Sequence, residues 1–137
     1  MRRLPRSPQP LLVRTEFASP GHWDSLRLAL ATPDARGHRS EAHIVDDGAF
    51  RDLAPNQLLR RLAGPTPLLL VADSAALYRE GHPVRVVDPS GAHAAFRCLA
   101  AEIAGLEGRL PLQDRDWAAF AAALGTDGVY RGAIVAA

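Results

Sequence analysis

Apolar residues along this chain follow two rhythms. Short unbroken runs, Leu11-Leu12-Val13 and Leu68-Leu69-Leu70-Val71-Ala72, predict strands, the second one covered on both faces. Between them, apolar positions recur at helical spacing. Trp23, Leu26 and Leu30 stand at i, i+3 and i+7 behind Ser19-Pro20, which offers an N-cap and a proline for the first turn. Pro55, Leu58, Leu59 and Leu62 repeat the pattern, and Gly64-Pro65 stops it. Trp117, Phe120, Ala121 and Leu124 repeat it again, with Asp114 as the expected cap and Gly125 past the end.

The remaining segments fill in the order. A strand is expected over 11–15 and another over 42–46, ended by Asp47-Gly48. A short helix should follow Asp73. Val84 to Asp88 reads as a strand, Pro89-Ser90-Gly91 as a tight connection, and 92–98 as an antiparallel return. A short helix is expected near 100–104, and 126–132 reads as a loop. The order β-α-β-α-β-α-β-β-α predicts right-handed crossovers and an α/β fold. The expected architecture is a three-layer single domain over 11–137. Its mainly parallel sheet has about five strands, with an antiparallel hairpin at one edge.

Residues 1–10 carry three arginines, three prolines and no acid, and are expected to be a disordered basic arm. The apolar run after them is too short for a signal peptide, and no apolar stretch reaches membrane-spanning length. A net charge of +1 gives no global field for nucleic acid or an anionic membrane. The lone Cys98 excludes an intrachain disulfide and fits a reducing cytoplasm. All 16 basic residues are arginine, which excludes Schiff-base lysine chemistry and a Walker-type phosphate loop. No dinucleotide fingerprint or nucleophile elbow is present. No histidine pair has metal-ligand spacing, so no metal and no cofactor is expected.

Acid placement is the informative feature. Glu16 follows the first strand, Asp46 and Asp47 close the second, and Asp73 follows the third. If these strands are parallel, all four carboxylates lie at the carboxyl edge of the sheet, where open α/β sheets bind ligands. Such a cluster needs a cation, a shared proton or arginine to offset its charge. A divalent ion fits poorly, because the doublet follows the second strand and no lysine would meet a phosphoryl group. Arg14, two residues before Glu16, would share a strand face with it and pair with a carboxylate. A protonated carboxyl in a pocket would instead suit acid–base work.

Several segments together resemble an actinobacterial family of small α/β domains of unknown function. They include Val13-Arg14-Thr15-Glu16-Phe17, Trp23, Val45-Asp46-Asp47, Val71-Ala72-Asp73, His82-Pro83-Val84, Phe96-Arg97 and residues 127–132. The resemblance implies a soluble, stand-alone domain and supplies no reaction. Glu16 departs from the aspartate usual there. The longer side chain argues against a tight metal geometry at that point.

Two functions follow as expectations. One is a cofactor-independent enzyme of isomerase, cyclase or lyase type, acting on a small molecule such as a specialised metabolite. Glu16 or Asp47 would be its acid/base and Arg14 its electrostatic partner. Trp23, Asp46, Asp73, Tyr130 and Arg131 would line the substrate site. The other is a non-catalytic binding or interaction protein, an accessory or immunity-like partner in which the acids are structural. Neither reading fixes the ligand or the oligomeric state.

Overall fold

The computed structural model describes residues 1–132. Among them the chain forms six strands and five α-helices in a mixed α/β arrangement. The strands are β1 (Leu11–Arg14), β2 (His43–Val45), β3 (Leu69–Ala72), β4 (Pro83–Val87), β5 (Phe96–Leu99) and β6 (Val129–Tyr130). The helices are α1 (Pro20–Ala31), α2 (Pro55–Leu59), α3 (Ser74–Tyr78), α4 (Ile103–Glu107) and α5 (Asp114–Ala122).

One sheet runs in the order β2-β1-β3-β4-β5-β6. β1 pairs in parallel with β2 and β3, β4 runs antiparallel to both its neighbours, and β6 joins β5 in parallel. The β4–β5 hairpin is therefore internal, not at an edge as expected; β2 and β6 are the edges. The reason is β6, two residues inside the segment that reads as a loop. Too short to carry a period, it is held by backbone pairing of Val129 and Tyr130 with Arg97 and Cys98.

Strand alternation sorts the core. Leu12, Leu70, Ala72, Val84 and Val86 share one cluster with Trp23, Leu26 and Leu30 of α1, Leu77 of α3 and Phe120 of α5. Leu11, Val13, Leu69 and Val71 share the other with Phe50 and Leu58. Successive residues of β1 and β3 thus point into different clusters, which is why both strands read as unbroken apolar runs. Leu4 belongs to the second cluster and is 1% exposed. The arm expected to be disordered is laid along the α2 region. Leu4 N–H donates to the Arg61 carbonyl at 2.7 Å, and Arg61 donates to the Arg2 carbonyl at 3.2 Å. A single leucine among arginines and prolines gives no periodic signal, yet its burial is enough to anchor the segment.

One register row crosses the whole sheet: Val45, Val13, Val71, Arg85, Arg97 and Val129. Residues directly opposite on neighbouring strands share a face, so two arginines sit side by side where like charges repel. A carboxylate is required nearby, and Asp73 supplies it. No helix among the described residues is long and apolar enough to cross a membrane.

Candidate functional site

Because β1, β2 and β3 run parallel, Arg14, Glu16, Asp46, Asp47 and Asp73 do end at one sheet edge. The contacts there differ from the expected pairings. Arg14 is buried, and its guanidinium carbon lies 4.4 Å from the Phe17 ring centroid and 4.9 Å from that of Trp23. Its Nε donates to the backbone carbonyl of Glu16 at 2.9 Å, and Nη1 donates to Asp46 Oδ1 at 3.3 Å. Two aromatic faces and one half-exposed carboxylate thus answer the buried charge.

Glu16 does not pair with Arg14 through its carboxylate. The strand ends at Arg14, so the two-residue alternation no longer applies to Glu16. Its Oε1 accepts from the Ala18 N–H at 3.0 Å. Asp47 caps a 3₁₀ turn, Gly48–Phe50, by accepting from Ala49 N–H at 2.9 Å, and meets Arg2 at 3.5 Å. The Asp52 N–H then donates to the Thr15 carbonyl at 2.9 Å, tying this turn to the end of β1.

Asp73 has the fullest set of partners. It caps α3, accepting from Ala76 N–H at 3.1 Å. The Arg97 fork donates to both its oxygens, at 2.9 and 2.7 Å, and the same guanidinium donates to the Pro83 carbonyl at 3.0 Å. Burial pushes the Asp73 carboxyl up, but the Arg97 fork, the Ala76 amide and the charges of Arg97 and Arg85 outweigh it. The group is held below its ordinary value.

The other expected site residues lie apart. Trp23 is a core side chain under Arg14, and its Nε1 is buried with no hydrogen-bond partner. Tyr130 is buried against Phe120, edge-on at 4.9 Å between ring centroids. Arg131 is exposed and forks onto Asp127 at 3.0 and 2.6 Å. β6 lies four strand spacings from β1, roughly 19 Å, so Tyr130 and Arg131 do not join the acids. Among the described residues, no group of three or more His, Cys, Asp or Glu is placed to hold a metal ion. Asp114, expected to cap α5, is instead its first residue. Gln113 occupies the cap position, and its N–H donates to Asp116 at 2.8 Å.

The opposite, amino edge holds what the pattern of acids did not indicate. A cavity of about 590 Å³ opens there, bounded by the segments that lead into β1, β2 and β3 and by α4. Pro8, Pro10, Pro67, Leu110 and Pro111 form much of its wall, and Glu107 stands in it. Glu107 Oε2 accepts from the Ser40 hydroxyl at 2.5 Å and Oε1 accepts from Glu41 N–H at 2.8 Å. Burial pushes this carboxyl up, helped by the charge of Glu41 and opposed by the two hydrogen bonds. A second cavity, about 900 Å³, lies against α4 and α5 and shares His38, Ala104 and Gly108 with the first. A third, about 340 Å³, lies beside β2 where Arg2 and Arg3 face Asp46 and Asp47. No local sequence signal marks Glu107, which follows the short helix expected near 100–104 and meets partners 66 and 67 residues away.

Residues 9–133 match the family described as a domain of unknown function (DUF6924), and the chain belongs to that family. No curated protein and no solved structure matches it.

Proposed function

For this member of a family of unknown function, we propose a non-catalytic binding protein in which the acids of the carboxyl edge hold the fold together. One observation carries the reading: each of the four carboxylates already has its own donor. Glu16 has the Ala18 amide, Asp46 has Arg14, Asp47 has the Ala49 amide and Arg2, and Asp73 has the Ala76 amide and Arg97. Two of the four are helix or turn caps. General acid–base work asks for a carboxyl in reach of substrate and poised to exchange a proton near the working pH. Asp73, the most enclosed of the set by its partners, is held in the opposite direction.

The same proposal includes a three-layer arrangement, supported by the two apolar clusters into which alternate strand residues point. A reducing compartment is supported by the buried free thiol of Cys98. An actinobacterial source is supported by 16 arginines without a lysine and by 25 alanines.

Thermal unfolding of the single variants Glu16→Gln, Asp46→Asn, Asp47→Asn and Asp73→Asn tests the reading without knowledge of a substrate. Structural carboxylates give midpoints at or below that of the parent chain, with Asp73→Asn lowest. Residues kept for catalysis commonly cost stability, so an acid–base pocket would show at least one variant rising by several degrees.

A further inference from the structure

The cavity at the amino edge combines three properties of small-molecule sites. Its volume, about 590 Å³, lies in the usual range for ligand pockets. Its wall is rigid, because the rings of Pro8, Pro10, Pro67 and Pro111 have little freedom to lose when a ligand binds. Its polar groups include one half-buried carboxyl fixed in place. The Ser40 hydroxyl and the Glu41 amide each occupy one acceptor position on a different oxygen of Glu107. A carboxylate has about four such positions, so capacity remains for a donor arriving from the cavity.

Charge selects the donor. The cavity wall carries the carboxylates of Glu41 and Glu107 against the single guanidinium of Arg39, with His38 as the other ionisable group. The Ser40 and Glu41 contacts fix the Glu107 carboxyl, and burial makes its charge costly when nothing else offsets it. An ammonium group offsets that cost with a charge-assisted hydrogen bond, and an apolar body behind it fits the proline wall.

We propose that this cavity binds a small organic amine, with Glu107 as the anchoring carboxylate and the prolines as the wall for the amine's apolar body. The proposal deepens the binding reading above, and it rests on the opposite edge of the sheet from the acids that the stability variants test.

Three indole compounds of matched size serve as probes: tryptamine, tryptophol and indole-3-acetate, which end in an ammonium, a hydroxyl and a carboxylate. Backbone amide shifts are followed by NMR in the full chain. Tryptamine is expected to shift the amides of Ser40, Glu41 and Gly108 saturably. Tryptophol and indole-3-acetate should bind at least tenfold more weakly. Glu107→Gln should lose at least tenfold in tryptamine affinity while its unfolding midpoint stays at or above the parent value. Gln9→Trp places a bulky ring at an exposed position of the wall and should block the site with the Glu107 contacts intact. The proposal is overturned if tryptamine gives no saturable shift, if indole-3-acetate binds as well, or if both variants bind like the parent. Failure here leaves the structural role of the carboxyl-edge acids standing, because that role is read from stability alone.

Discussion

Replacing Asp73 separates two jobs that one carboxylate performs. Asparagine keeps an oxygen able to cap α3 but gives up the charge that both arms of Arg97 meet. Alanine gives up both. Hydrogen bonds to charged groups contribute about 1.5–3 kcal/mol. Side-chain exposures of 28% for Asp73 and 16% for Arg97 keep the pair out of the freely solvated class, where such contacts count for little. Asp73→Asn is therefore expected to cost about 2 kcal/mol, and Asp73→Ala about 1 kcal/mol more for the lost cap. For a chain of 137 residues the unfolding entropy makes 1 kcal/mol worth about 3–4 °C. The expected midpoint shifts are about −7 °C and about −10 °C.

Arg97→Met should cost a similar amount, since it leaves Asp73 beside the Arg85 charge alone. Combining Asp73→Asn with Arg97→Met should cost less than the sum, with a coupling of about 1–2 kcal/mol. The pH dependence has a definite sign. Asp73 is lowered in the folded chain, so its contribution is full above its unfolded value and is lost as pH falls through the folded one. Thermal and urea unfolding of the five chains (the parent, the three single variants and the double variant) at pH 7 and again at pH 3 read all of this. An Asp73→Asn midpoint within a degree of the parent, or a coupling near zero, refutes the reasoning.

Two further predictions concern places where the sequence gives little warning. Leu4→Ala should cost about 3 kcal/mol, the usual loss for a buried leucine, in chemical denaturation; an unchanged midpoint would mean the first residues do not anchor the fold. Cys98 is fully buried, and its thiol is pushed up by burial and by the charge of Glu102. Labelling with a disulfide reagent under native conditions should run no faster than unfolding, and a rapid native reaction would contradict its place in the core.

The readable parts of this chain were those where burial imposes a period. Leu58 with Trp23, Leu26 and Leu30 give their helices because one face of each meets the core. The run ending at Ala72 gives β3 because both its faces do. The carboxyl edge followed from chain direction alone, so the acids could be placed together before any contact was known. Their partners could not. Arg97 reaches Asp73 past the intervening strand β4 and over 24 residues of sequence, and only the sheet order brings them into range. β6 gives no sequence signal because two residues hold no period, and without it the hairpin reads as an edge. Leu4 and Glu107 give no sequence signal for one reason. Each owes its place to contacts nearly 60 or more residues away.

The carboxyl of Asp73 gives the most direct test of whether this edge is structural. Its titration can be followed through the side-chain carbon by NMR, in the parent chain and in Arg97→Met. A structural carboxylate titrates below the ordinary value of 3.8 and moves up when Arg97 is removed. A value raised above 3.8 in the parent chain, as a group kept for proton transfer would show, contradicts the account.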